Sequence, residues 1–229
     1  MIDMNLGQQL WIGAKWDKVD GKNIADLDAT VVLIDEVGKV ADACYYNKQR
    51  SDCNSVVHSG DQVTGDKEGY DESITVNLPT INYTVSYLAI LVSNAKGTGF
   101  NDQKASSIAV YQGSTLLTEI YLGRQDPSTN SVLVSLLRRV NPTWSYINVS
   151  TPGPGKNFTE SENMIRSNLS MAGFDPVMLQ ETANWNGQAR RFDMVKDQVI
   201  YLPKQCPNVN VCLGWNAGCD VDCSILQFD

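Results

Sequence analysis

The sequence predicts a mostly β fold, a sandwich or barrel carrying one or two short helices. Two observations carry that reading. Short runs rich in β-branched and aromatic residues recur along the chain, and Gly, Asn, Asp and Pro separate them at close intervals, the pattern of short strands packed on a common core. With 229 residues, 42% of them hydrophobic, the chain has enough apolar material for an ordinary core.

The elements follow in order. Thr30–Ile34, Ser73–Leu78, Val85–Ser93, Ser107–Tyr111 and Thr118–Leu122 read as strands, each bounded by turn-forming residues. Ala41–Tyr46 is an apolar context that suits a strand burying the Cys44 thiol. Helix is expected at Ser131–Arg139 and again at Thr159–Met171, the second with Thr159 or Ser161 as cap and Gly173 as stop. The Pro-Gly-Pro-Gly run at 152–155 reads as a rigid loop.

Charge is unevenly placed. The chain holds 18 basic and 26 acidic residues for a net charge of -8, and residues 1–72 alone hold 14 acids against 7 bases. With no basic cluster there is no footprint for a phosphate backbone, which argues against nucleic acid. No polybasic face suggests a membrane surface. The N-terminus lacks the basic and apolar regions of a signal peptide, and the longest apolar stretches are too short to span a bilayer. A cytoplasmic protein, free or peripheral to a membrane-associated complex, is expected, with no direct membrane insertion.

Cys44 and Cys53 stand alone, while Cys206, Cys212, Cys219 and Cys223 crowd the last 24 positions. Their separations are not those of a zinc ribbon, and the single histidine, His58, is remote in sequence. Reduced thiols are the expected state.

A partial internal repeat organises the rest. Asp26–Asp35 can be laid on Asp220–Asp229 without a gap, all three aspartates coinciding, and Ile12–Asp17 corresponds to Cys212–Asn216. The expected division is a domain over 1–172, a connector over 173–205 and the opening strands of a second copy over 206–229. Such a short piece cannot bury a core alone. It augments a sheet edge of the first domain, is donated to a partner, or is the start of more chain; self-association or a protein partner engaging this piece is therefore expected.

Asp26 and Asp28 are two apart at the start of a predicted strand, so their side chains share a face. Like-charged neighbours repel unless a cation or proton lies between them. The loop His58–Glu72 adds three glycines and five carboxylates. Such an oxygen-rich, turn-rich segment suits Ca²⁺, which takes about 6 to 8 oxygen ligands. It is not an EF-hand, since Val63 and Asp66 break that spacing.

Gly13-Ala-Lys-Trp16-Asp17, Asp26-Leu-Asp28-Ala29, Tyr45-Tyr46-Asn47 and the His58-Ser-Gly-Asp61 to Asp71-Glu72 segment occur in the order and approximate spacing of the TerD family, which the chain resembles over roughly residues 6–172. The resemblance implies a β-sandwich of two antiparallel sheets, a role in tellurium resistance or stress response, and calcium binding. It also implies that Asp26, Asp28, Asp61, Asp71 and Glu72 are ligands, with Thr64 and Gly65 offering backbone carbonyls and Glu68 standing where the family often has an acid. Gln62 and Tyr70 depart from the family pattern, which implies one kept site and a weakened second.

A catalytic reading has little to stand on. Cys44, His58 and several aspartates exist, yet nothing marks Cys44 as activated, and His58 reads as a residue that fixes a turn. No Walker loop or GxGxxG motif is present. Trp16, Trp144, Trp185 and Trp215 read as core anchors rather than stacking platforms. The expectation is a non-enzymatic calcium-binding module, the alternative a scaffold subunit in which calcium is absent or purely structural.

Overall fold

The structure is a computed structural model that describes residues 2–4, 9–18, 25–100, 105–140 and 143–174. Eleven strands form among them: β1 Ile2–Met4, β2 Gln9–Lys15, β3 Leu27–Asp35, β4 Val40–Cys44, β5 Val56–His58, β6 Glu72–Asn77, β7 Val85–Asn94, β8 Ser107–Gln112, β9 Thr115–Tyr121, β10 Ser131–Val140 and β11 Thr143–Gly153. One helix, α1 at Glu162–Asn168, continues into a 3-10 turn at Leu169–Ala172. The connector expected over 173–205, beyond its first two residues, and the partial repeat expected over 206–229 lie outside the described residues.

Two antiparallel sheets face each other. The six-stranded sheet runs β1-β11-β10-β7-β3-β4 and the five-stranded one β5-β6-β2-β8-β9. The mostly β sandwich expected from the sequence is what forms. The core lies between the sheets: Leu10 and Ile12 of β2, Ile74 and Val76 of β6 and Ile108 and Val110 of β8 meet Leu27, Val31, Leu88 and Ile90 of β3 and β7. Trp16 and Trp144, at 1% and 0% exposure, are core anchors as expected, and the Arg139 guanidinium stacks 4.4 Å from the Trp144 ring centre.

The central strands β3, β7 and β10 of the six-stranded sheet are buried on both faces. Val32, Ile34, Tyr87 and Leu91 point away from the first core and pack under Ile165, Leu169 and Ala172 of the helical segment. This explains the uninterrupted apolar run in β3, because a strand covered on both sides needs no alternation.

The helix expected at Ser131–Arg139 is instead β10, paired with β7 and β11. A register shift between Leu133 and Ser135 breaks the two-residue alternation. Leu133 and Leu136 therefore face the helix while Val134 and Leu137 face the other sheet. A bulge inside a doubly buried strand thus produced the spacing of three and four that imitates a helix. At Thr159–Met171 the helical expectation holds. Neither proposed cap works through its side chain: Ser161 occupies the N-cap position without a capping bond, its hydroxyl donating to the Asn157 carbonyl at 2.8 Å. Gly173, at φ +78, does stop the segment, where a left-handed residue costs glycine little.

Candidate metal centre

The acidic residues of the front half converge at one end of the sandwich. Asp28 lies in β3 opposite Ser93 of β7 and is 4% exposed. Glu72 opens β6 in the other sheet and is 1% exposed. Its Oε2 accepts the Ala29 N–H at 3.1 Å, and its Oε1 accepts the Gln62 N–H at 3.2 Å. β4 first pairs with β3 at Val31, so the Glu72 carboxylate serves a backbone donor of β3 that lies before that pairing begins. Asp61, exposed on the loop between β5 and β6, completes the group: Asp28, Asp61 and Glu72 each offer one oxygen, all within 4.8 Å of one another.

Such crowding is costly without a partner. Burial, then Glu72, Asp26 and Asp61 push the Asp28 carboxyl up to about 8. Asp26, just ahead of β3, is also raised, by burial first and then by Asp61, with Lys96 opposing. Asp28 Oδ2 and Asp26 Oδ1 are buried atoms with no hydrogen-bond partner among the described residues. Ionised carboxylates left in that state carry an unrecovered desolvation cost. A divalent cation would supply what the fold leaves out, and an all-oxygen donor set would suit a hard ion rather than zinc.

Neighbouring side chains hold this arrangement. His58 accepts the Gly60 N–H on Nδ1 at 3.0 Å, so the neutral ring carries its proton on Nε2, which lies 3.3 Å from Glu72 Oε2. That approach is electrostatic and not a well-aligned hydrogen bond. The turn-fixing role expected of His58 is present, with a contact to Glu72 that the sequence did not reveal. Asn94, fully buried at the end of β7, accepts the backbone N–H groups of Asp26 at 3.3 Å and Lys96 at 3.2 Å, and donates to the Gly99 carbonyl at 2.7 Å. The signal for it was an Asn closing a strand run immediately before the glycine-containing segment Lys96–Gly99.

The side chains of Asp71 and Glu68 are not among the three converging oxygens. Asp71 accepts the Trp16 N–H at 3.0 Å on Oδ2 and the Lys67 N–H at 3.2 Å on Oδ1, while its own N–H donates to the Ala14 carbonyl at 2.9 Å. It clamps the loop to the end of β2 and is not part of the three-oxygen group. Thr64 directs both its N–H and its hydroxyl to Gln62 Oε1, at 3.1 and 2.8 Å. Gly65 sits at φ +63 against the Trp16 side chain, and Glu68 is exposed. These three shape or border the loop.

Comparison with known proteins agrees with this architecture. The sequence profile of the TerD domain matches residues 3–153. The chain is 38% identical over 149 residues to tellurium resistance protein TerZ of Serratia marcescens, covering 60% of this chain and 77% of that protein. It is 30% identical over 146 residues to general stress protein 16U of Bacillus subtilis, covering 59% and 76%. The crystal structure of a homologue of telluride resistance protein TerD from Streptomyces coelicolor A3(2) superposes with a TM-score of 0.62 at 16% identity, over 69% of this chain and 96% of that one, a likeness of fold. With the domain profile spanning well over half of its length, the chain belongs to the TerD domain family.

Proposed function

We propose that this protein binds calcium at Asp28, Asp61 and Glu72, with Asp26 beside them, and serves as a non-enzymatic stress-response module of the cytoplasm. The observation that carries the reading is the convergence of three carboxylate oxygens within 4.8 Å around a buried Asp28 oxygen that has no partner among the described residues. Relatives named for tellurium resistance and general stress support the cellular context. A protein partner, or self-association through residues 206–229, would connect ion binding to a response. No helix of the described residues is long and apolar enough to cross a membrane.

Calcium would act here by neutralising repulsion, tying the two sheets together where Glu72 already reaches β3. Cys44 offers a catalytic alternative no support: burial pushes its thiol up to about 11, the opposite of an activated cysteine. Isothermal titration with calcium after chelation tests the proposal. A saturable heat that disappears in Asp28→Asn is expected; no heat, with no calcium-dependent change in melting, would sink it.

A further inference from the structure

A cleft of about 360 Å³ opens on the outer side of the six-stranded sheet. Its lining includes Asp28 and Ser93, from the cross-strand pair of β3 and β7. Tyr45 and Tyr46, beyond the end of β4, form one wall, and Phe158 and Glu160, ahead of α1, form the other. Asp61 and Glu72 do not line it, so Asp28 alone is shared with the three-oxygen group.

Three features define what would fit. The aromatic walls meet at steep angles: Tyr45 and Tyr46 are edge to face, 5.4 Å apart and 85° inclined, and Tyr45 and Phe158 are 5.1 Å apart and inclined by 56°. The lining holds two carboxyl groups and no basic side chain. The buried atoms Ser93 Oγ and Asp28 Oδ2 have no hydrogen-bond partner among the described residues, their residues being 1% and 4% exposed. Glu160 at the mouth already accepts the Lys156 N–H at 2.9 Å and the Asn157 side-chain amide at 3.2 Å, which fixes its carboxylate and leaves it further lone pairs.

Anions are disfavoured by such a lining, and a neutral apolar ligand would leave both buried oxygens unsatisfied. A cation over aromatic faces is favoured, and buried oxygens at the floor call for a cation that donates hydrogen bonds. We propose that this cleft is a binding site for a primary alkylammonium group, its N–H bonds directed to Asp28 and Ser93 and its stem held against Tyr45, Tyr46 and Phe158. A free aliphatic amine and a lysine side chain of a partner share this chemistry. The proposal goes beyond the calcium reading and does not depend on an ion among the three carboxylates. Because both ligands use Asp28, calcium and the amine oppose each other, and the coupling is reciprocal.

The test is chemical-shift titration of the full-length protein in chelator with cadaverine, with Nα-acetyl-lysine methylamide, and with the ε-trimethylated form of the latter. Saturable shifts at the Tyr45 and Phe158 rings and the Ser93 amide are expected, with a Kd of about 1 mM or tighter for a primary amine. The trimethylated compound cannot donate and should bind at least about fivefold more weakly. Ser93→Ala and Phe158→Leu, with otherwise unchanged spectra, should each weaken binding about fivefold. Tighter binding of the lysine derivative than of cadaverine would identify a partner's side chain as the source, and the reverse a free amine. Absence of saturable shifts with both primary amines overturns the proposal, as does a trimethylated compound that binds as well as its parent. Amine binding without any calcium heat would remove the calcium reading and leave this one standing; calcium heat without amine binding would do the opposite.

Discussion

Replacing Asp28 by Asn should change the sign of its effect on stability with calcium. The carboxyl is buried and lies within 4.8 Å of oxygens from Asp61 and Glu72, and without an ion it titrates at about 8 against an ordinary 3.8. A raised folded-state value means that the stabilising contribution is full below 3.8 and is lost as pH rises through about 8. At pH 7 the folded protein therefore holds a proton that the unfolded chain has released. At ~1.36 kcal/mol per pH unit this costs at most about 4 kcal/mol, and local relaxation and partial hydration reduce it to roughly 2. Asparagine has the same shape and no such cost, so in chelator Asp28→Asn should be more stable than the parent by about 2 kcal/mol. In calcium at a hundredfold excess over Kd the parent gains about 2.7 kcal/mol, which the variant forgoes. Urea melts of both proteins in EDTA and in calcium provide the assay. A variant less stable than the parent in EDTA, with its calcium response intact, would refute both the electrostatic account and the assignment of Asp28 as a ligand.

Further outcomes follow from the same geometry. In chelator the parent should lose stability as pH rises from about 4 to 8, read by thermal melts, because Asp28 must ionise in a site that disfavours it; calcium should flatten or reverse that slope. Asp71→Ala should cost about 1–3 kcal/mol by freeing the Trp16 and Lys67 N–H groups, whereas Glu68→Gln should leave both melting and calcium heat unchanged; equal loss of calcium heat in the two variants would restore them as paired ligands. Gly65→Ala should destabilise by more than about 1 kcal/mol, since the backbone is left-handed there and the added methyl would meet Trp16. Of the two described cysteines, Cys53 should be alkylated first under native conditions and Cys44 only on unfolding, because Cys44 is fully buried and its thiol is raised.

The sandwich was legible because its strands announce themselves through β-branched runs and turn residues, and β3, β6, β7, β8 and β9 all form where those runs lie. β1, β2, β5 and β11 were not among those runs, and β10, read as a helix, shows where the signal stops: a one-residue bulge changes the parity of a doubly buried strand, and sequence alone does not show a bulge. The site was legible in kind but not in membership. Asp71 and Glu72 are adjacent and both acidic, yet chain alternation sends Glu72 to Ala29 and Gln62 and Asp71 to Trp16 and Lys67. Counting carboxylates cannot make that distinction, which depends on where β6 begins. The cleft beside Asp28 was beyond sequence reading for another reason, since its two walls are more than a hundred residues apart and meet only after the whole sandwich has formed.

The bond from the Ala29 N–H to Glu72 Oε2 gives the protein a built-in gauge. Hydrogen exchange at a single amide would register the state of the carboxylate group without any label or substitution. If the proposed ion holds Glu72 in place the amide should stay shut away from solvent, and if the group loosens the same amide should exchange sooner than its neighbours in the β3–β7 ladder. One backbone proton, one bond removed from the candidate ligands, thus reports whether the two sheets are fastened at that end.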